Sequence, residues 1–419
     1  MKIGILTIGN ELISGKTQDT NSSFIARQLH AQGWQTSIMM SVPDDEDAIK
    51  TGLNHIMSLS DAVVVTGGLG PTADDITTSA IARAFGLGIY TDQAALKHIR
   101  DRFEKFHLKW TANNEKQAHV PEGAETIRNP VGMAWGYSLT KDGKIIAVVP
   151  GVPSEVKRMI PDGIIPILRK EFKDAAGHVE SRTIKLSGIT EANVDQVLAD
   201  VDFGSLGVNI GFYPNFPEIQ IVLTAIAATE KDAKERITVA DERVSERLQQ
   251  YIFAYDQDTL EFIIAGLLTD KNLTLAVAES CTGGLLTDRL TDVPGSSAFL
   301  ERGVIAYSND CKAHLLGVPQ DVLREFGAVS EKTAVFMAEG VRKLGKCNLG
   351  LSTTGIAGPT GGTAEKPVGT FFIALADETR VFCRNYTFRW DRRRNKTMMS
   401  QAALMMLKRY LTGDLQHER

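Results

Sequence analysis

The sequence predicts an α/β protein built on parallel sheets, with a small α+β module between two larger parts. Three observations carry this. Residues 1–170 alternate short apolar β-type runs with amphipathic helical stretches, the pattern of βαβ units with helices on both faces of a sheet. Residues 171–255 break that rhythm with two alternating strands and two helical segments, the second long and highly charged. Residues 256–419 resume the βα alternation and finish with a hairpin and a final helix.

In chain order, Lys2–Gly9 reads as a strand and Thr20–Gln32 as an amphipathic helix stopped by Gly33. Trp34–Ser41 is a strand, Asp44–Leu59 a helix, Asp61–Thr66 a strand, and Asp75–Phe85 a helix closed by Gly86. A polar helical insert covers 90–120, and Lys144–Val149 is a further strand. In the middle module, Glu180–Leu186 and Ile219–Ala228 are strands, and Thr190–Asp200 and Glu230–Gln250 are helices. Leu273–Glu279 is a buried-type strand, and Gly303–Tyr307 a strand ending in Tyr307. Arms Val368–Ala376 and Arg380–Phe388 form a hairpin, and a Met- and Leu-rich helix runs from about Arg392 to Leu411. Its Met stripe suits a core face or a subunit contact.

The 419 residues allow two or three domains. With 43% hydrophobic and 23% charged residues, the composition is that of a globular chain. A net charge of −5 points away from nucleic acid. No apolar run is long enough for a membrane span, and the first residues lack the pattern of a signal peptide. The four cysteines, Cys281, Cys311, Cys347 and Cys383, form no CxxC pair and read as reduced thiols, so a cytoplasmic protein is expected.

The stretch LTLAVAESCTGG (273–284) is the most informative. A strand ending in Glu279 runs into Ser280, Cys281, Thr282, Gly283 and Gly284 and then into a helical pattern. Such a junction exposes N–H groups at a helix N-terminus, where a phosphate or an oxyanion can sit, and it places the Glu279 carboxylate and a hydroxyl beside that site as candidate substrate-binding groups. The plain alternative is a tight βα turn capped by Ser280 or Thr282. Cys281 is a nucleophile on one view and a small buried residue on the other. GVIAYSNDCK (303–312) places Lys312 five positions after Tyr307. LGLSTTGIAGPTGGT (349–363) is a strand feeding a loop with Thr354, Gly355, Ala357, Gly358 and Gly361, and DRRRNK (391–396) opens the last helix with Arg392. Ligands of α/β sheets bind at such strand ends.

The first part has its own set of loops. VVVTGGLGPTADD (63–75) offers Gly67, Gly68, Gly70 and Thr72, then Asp74 and Asp75. Glycines let a backbone approach phosphate, and carboxylates hold a hard divalent cation or simply favour a helix start. GNELISG (9–15) supplies Glu11, NPVGMAWG (129–136) supplies Asn129 and Gly132, and PGVPSEVK (150–157) supplies Pro150, Gly151 and Glu155. Four loops at strand ends predict a site for a phosphate-bearing ligand, with Glu11, Asp74 and Asp75 as metal ligands.

GNELISG, TGGLGPTADD, NPVG and PGVPSEVK resemble the molybdopterin-binding-like domain of the CinA family. AESCTGG, GVIAYSNDCK, GAVS (327–330) and TGIAGPTGGTAEKPVGT resemble its C-terminal nicotinamide mononucleotide deamidase domain, and SGITEAN with YPNFPEIQI resembles the linker module. The likeness spans essentially the whole chain in order. It implies domains at 1–170, 171–255 and 256–419. It implies two activities in pyridine nucleotide recycling: hydrolysis of the carboxamide of nicotinamide mononucleotide with release of ammonia, and cleavage of ADP-ribose at its pyrophosphate. The first would need no cofactor. The second would use a divalent metal (Mg, Mn or Co), with potassium as a further cation. A homodimer is implied as well.

Amide hydrolysis needs a nucleophile, a proton shuttle and an oxyanion site. Ser280 is the candidate nucleophile, with Lys312 or Tyr307 taking its proton. N–H groups around Cys281–Gly284 or Thr354–Ala357 would hold the oxyanion. The 355–363 loop or Arg392 would meet the phosphate. In the other assignment Ser280 only binds, and Tyr307 or an activated water attacks. Departures from the family pattern concentrate in the first part: Asn10 in place of an Asp, Pro43–Asp44 in place of Gly-Asp, and Ala134–Trp135–Gly136 in place of Ala-Pro-Gly. In the last part, Trp390 precedes the Asp391–Arg392 pair. Two rivals stand beside this reading: a first domain that binds or adenylylates a molybdopterin-type ligand, and a non-enzymatic competence or recombination accessory.

Overall fold

The computed structural model describes residues 1–172 and 177–417. The chain divides into two compact units, one of residues 1–180 with 225–236, the other of 181–224 with 237–419.

The first unit opens with β1 (Lys2–Ile8), α1 (Asn10–Ile13), α2 (Asn21–His30), β2 (Gln35–Val42), α3 (Glu46–Leu59), β3 (Ala62–Thr66) and α4 (Thr77–Phe85). It continues with β4 (Ile89–Thr91), α5 (Gln93–Lys105), β5 (His119–Pro121), β6 (Glu125–Ile127), β7 (Gly136–Lys141), β8 (Lys144–Val149), α6 (Pro153–Met159) and α7 (Ile165–Glu171). Its main sheet has the order β2-β1-β3-β8-β7-β6. The first four strands are parallel, as the alternation predicts. β7 and β6 run antiparallel, so the sheet is mostly parallel with an antiparallel edge. Strands β1, β3 and β8 are apolar on both sides because helices cover both faces. One core gathers Leu53, Ile56, Val63 and Ile146, the other Ile25, Leu29, Val64 and Ala147. The insert after β4 is α5 with a short 3-10 turn at Ala112–Ala118, packed through Leu96 and Ile99.

The middle module comprises β9 (His178–Leu186), α8 (Glu191–Leu198), β10 (Val208–Asn215), β11 (Glu218–Ala227), α9 (Glu230–Leu248) and β12 (Ile252–Tyr255). Its sheet has the order β10-β11-β9-β12.

The last part comprises α10 (Leu260–Asp270), β13 (Leu275–Glu279), α11 (Leu285–Thr291), β14 (Leu300–Ile305), α12 (Asn309–Leu316) and α13 (Gln320–Glu325). It ends with α14 (Glu331–Gly345), β15 (Leu349–Gly355), β16 (Thr370–Ala376), β17 (Val381–Thr387) and α15 (Arg392–Thr412). The sheet order is β14-β13-β15-β16-β17. β14, β13 and β15 are parallel, and the hairpin β16–β17 is antiparallel. The strand expected to end at Tyr307 stops at Ile305 instead, because Ser308 caps α12 by accepting the Cys311 N–H. Met399 and Met406 of α15 are core residues, so that part of the Met stripe is packing. Among the described residues no helix is long and apolar enough to cross a membrane.

Candidate functional site

In the last part, the carboxyl ends of β13 and β15 lie side by side, with Glu279 paired to Thr353. The chain leaves β13 at Ser280, whose N–H donates to Thr353 O at 3.0 Å. Lys312, on the first turns of α12, turns back under this point. Its Nζ stands 2.9 Å from Ser280 Oγ and donates to Ala306 O at 2.9 Å and Tyr307 O at 3.0 Å. Ser280 is buried and Lys312 is 1% exposed. Burial lowers the Lys312 pKa from its ordinary value, because no counter-charge replaces the lost water. As an ammonium it donates to Ser280 Oγ and to the two carbonyls; a neutral amine could keep the two carbonyl bonds and accept from the Ser280 hydroxyl instead. The pair is thus arranged for proton transfer from Ser280 to Lys312.

Other predicted residues take different places. Tyr307 presents its carbonyl to Lys312, while the residue is 64% exposed. Glu279 corrects one expectation. Its buried carboxylate accepts the N–H groups of Gly284, Leu286 and Thr287 and the Thr287 hydroxyl, at 2.7–3.0 Å. These helix-start donors are therefore filled from within, and Glu279 braces the turn instead of facing a ligand. The N–H groups of Cys281, Thr282 and Gly283 lie outside that set. Cys281 takes the buried place: its side chain joins the core against Met399, and burial pushes its thiol up to about 12. A thiol so held stays protonated, so only its backbone faces the turn.

Thr282 shares a hydroxyl bond with Thr353, and Thr354 donates to Ala328 O at 2.7 Å. Gly355 has room for no Cβ, which would fall 2.0 Å from Phe371 Cδ1. Gly358 adopts φ +87° and Gly361 φ +90°, turns that favour glycine. Arg392 donates to Gly358 O at 2.6 Å, and Asn395 donates to Ala357 O at 3.1 Å. The start of α15 is thereby fastened to the 355–363 loop. Lys396 is a cation that sequence reasoning did not single out; a Cβ on Gly283 would lie 3.6 Å from its Nζ. Its place one helical turn after Arg392 is the available signal.

In the first unit, Glu11, Gly67, Gly68, Gly70, Asp74, Asp75, Pro150, Gly151 and Glu155 line one cavity of about 460 Å³. Gly67 adopts φ +110°, and a Cβ there would meet Ile8 O at 2.1 Å. Thr72 does not line the cavity; it holds Asp74 and Asp75 through its hydroxyl, and its carbonyl accepts from Lys116 at 2.7 Å. Asn129 is fully buried, donating to Ala134 O and Glu155 Oε2 and accepting from Val131 and Gly132 N–H. It supports the wall, as does Gly132, whose Cβ would strike Glu155. Burial raises the Glu155 pKa above the ordinary carboxylate value.

The cavity gains Asp44 and Gln117, which were not among the predicted ligands. Asn10 and Asp44 bond reciprocally: Asn10 N–H donates to Asp44 Oδ2 at 2.8 Å, and Asp44 N–H donates to Asn10 Oδ1 at 3.3 Å. The Asp44 pKa is raised chiefly by burial, against the Asn10 N–H bond, with Glu11, Asp74 and Asp75 adding repulsion. These hard oxygens suit a divalent cation chemically. Among the described residues, however, no three acidic, His or Cys side chains converge on one point as metal ligands do. Met133 and Ala134 line the cavity, while Trp135 packs with the α5 cluster, its ring 5.6 Å from that of His98.

Three family models match the chain. The model for the CinA C-terminal domain matches residues 257–411. The model described as "Probable molybdopterin binding domain" matches 4–170, and that of the "Damage-inducible protein CinA KH domain" matches 181–254. A CinA-like protein from Syntrophus aciditrophicus (strain SB) is 61% identical over 414 residues, 99% of each chain. The chain belongs to the CinA family. A second CinA-like protein, from Geotalea uraniireducens (strain Rf4), is 41% identical over 98% of each chain. Among solved structures, competence/damage inducible protein CihA from Agrobacterium tumefaciens is 38% identical, covering 36% of this chain and 95% of its own, with a TM-score of 0.35. Within the CinA framework the chain carries a molybdopterin-binding-like domain with the acidic cavity, and a C-terminal domain with the Ser280–Lys312 pair.

Proposed function

We propose that the C-terminal domain hydrolyses the carboxamide of nicotinamide mononucleotide. The observation that carries this is the buried 2.9 Å approach of Lys312 Nζ to Ser280 Oγ. Neutral Lys312 takes the Ser280 proton as Oγ bonds to the carboxamide carbon. The oxyanion is met by N–H groups of the Cys281–Gly283 turn, the donors Glu279 leaves. The tetrahedral centre collapses, the C–N bond breaks, and ammonia leaves with the proton from Lys312. Water, deprotonated by the same amine, then cleaves the ester, giving the nucleotide acid and free Ser280. Arg392 and Lys396 supply positive charge for the substrate phosphate. Ammonia release by the purified chain, with chromatographic identification of the acid, tests this. A folded Ser280→Ala variant that retains substantial turnover would return Ser280 to a binding role, with Tyr307 or water as the attacking group.

The first domain is proposed to cleave ADP-ribose at its pyrophosphate. Gly67, Gly68 and Gly151 keep that cavity open to a phosphate, and Glu11, Asp44, Asp74 and Asp75 line it; since no three of these converge, a divalent cation would be held by one or two of them together with the pyrophosphate oxygens. Such a cation, when bound, would neutralise charge on the pyrophosphate oxygens. The second reading, a molybdopterin-type ligand in the same cavity, is favoured by the family model that covers 4–170. Competition between ADP-ribose and a pterin for the full chain separates the two.

A further inference from the structure

Against the outer face of α15 lies a cavity of about 300 Å³, well away from Ser280 in the chain and built from other residues. Met398, Met405 and Met406 form one wall. Tyr386, near the end of β17, and Phe388, just beyond it, form another; their rings are nearly parallel, 18° apart in plane with centroids 5.8 Å apart. Arg384 and Arg409 also line it, and no carboxylate does.

The informative member is Gln401, which lines this cavity at 2% exposure. Its amide orientation is fixed from behind. Arg289 can only donate, and its Nη2 donates to Gln401 Oε1 at 2.7 Å. Arg289 is itself held by Glu261 at 2.5 Å and by Ser400 Oγ at 2.9 Å. Gln401 Nε2 is left with no acceptor among the described residues. A buried amide donor without an acceptor is costly, and structures usually provide one. Nε2 is itself enclosed, so an acceptor entering the cavity reaches it as the flexible methionine side chains that line it give way.

We propose that this cavity binds a flat aromatic carboxylate. The ring lies on the Tyr386–Phe388 face against the methionine wall, a polarizable surface that adapts to planar ligands. The carboxylate accepts from Gln401 Nε2, and the two guanidinium groups favour its negative charge. The volume is at the lower end for small-molecule sites and suits one or two fused rings. This site is independent of the proposed hydrolytic chemistry.

The test uses the full chain with methionine methyl groups labelled with carbon-13, titrated with 2-naphthoate and followed by NMR. The Met398, Met405 and Met406 signals are expected to shift saturably, with a dissociation constant on the order of 1 mM or tighter, while Met133 in the other cavity stays fixed. Gln401→Met removes the donor at similar volume. Gln401→Glu keeps the contact with Arg289 and turns an acceptor towards the ligand. Both are expected to weaken binding about tenfold or more, with thermal unfolding confirming that each is folded. Neutral 2-acetonaphthone is expected to bind more weakly than naphthoate, and equal affinity would overturn the anionic assignment. Absence of a saturable shift, or affinity unchanged in both variants, would overturn the site. So would the same three signals moving on protein dilution without ligand, which would assign this face to a second copy of the chain.

Discussion

Lys312 Nζ and Ser280 Oγ meet at 2.9 Å although 32 positions separate them in the chain. The contact is made by topology. β13 and β14 are adjacent parallel strands, so the turn after the first and the helix after the second open at the same sheet end. Replacing Lys312 by Met keeps the stem and removes the base. Deamidation is expected to fall by about 10²–10⁴-fold in kcat, the range of a lost general base, with KM changed far less. The variant leaves the Ala306 and Tyr307 carbonyls without their buried donor, at about 1–3 kcal/mol each. Kinetics together with a thermal scan distinguish lost chemistry from lost folding.

The same burial sets a pH dependence. Lys312 is depressed below the ordinary lysine value of 10.5, and only its neutral form accepts the Ser280 proton. The rate is expected to rise with pH and to level off below the range of an exposed lysine. The sign for stability is the same. The unfolded chain binds more protons at this group between the folded pKa and 10.5, so its contribution improves as pH rises through that window. A pH–kcat/KM profile checks the first point; a rate still rising through the range of an exposed lysine, near 10.5, would remove a depressed Lys312 as the base.

Much of this arrangement was readable in the residues, and the parts that were not have physical reasons. The strands β3, β8 and β13 are short apolar runs between turn residues, and each appeared where the sequence put it. The antiparallel strand β7 was missed although its signal was present. Asp142–Gly143 closes a two-residue turn between paired Lys141 and Lys144, with φ of +51° and +73°, a recognised hairpin turn. The pattern assigns Lys312 to no element, since Ser308–Asn309–Asp310 suits a turn as well as a helix start. The same Ser308 is a helix cap, and only the following helix shows which role it takes. Glu279 reads as a ligand-side carboxylate because it ends the strand at the junction where a phosphate or oxyanion can sit. Nothing in a linear pattern shows that the N–H groups five to eight positions later fold back onto it.

That buried carboxylate leads to a further expectation. Glu279→Ala leaves three helix-start N–H groups without a buried acceptor. A loss on the order of 3–5 kcal/mol follows from removing a buried, hydrogen-bonded charge. Glu279→Gln keeps the shape but sets an NH₂ against donors, so it recovers only part of that. Calorimetry should show the larger downward shift for Ala. Equal stability of both variants and the parent would mean that the turn does not depend on this brace.

The acidic cavity yields the last prediction. Glu11, Asp74 and Asp75 each raise the Asp44 pKa by repulsion, on top of the burial that dominates. A bound divalent cation reverses the sign of that local field and favours the ionised form. Cation affinity is therefore expected to fall as pH drops towards the raised Asp44 value, earlier than for exposed aspartates. Without the cation, the folded state holds the Asp44 proton more tightly than the unfolded chain does. Stability from this group is thus gained on acidification between the raised value and 3.8, and lost as pH rises through it. Asp44→Asn removes the titration and one ligand together. It is expected to weaken Mn²⁺ binding about tenfold or more, and to flatten the acid limb of ADP-ribose hydrolysis. Gly67→Ala is the independent check on the same cavity, because its Cβ would collide with backbone at Ile8 O. It should abolish ADP-ribose turnover, while the deamidation assay reports whether the rest of the chain is intact. Mn²⁺ titrations that coincide for the parent and Asp44→Asn, at pH 5 and at pH 8, would exclude Asp44 as a ligand.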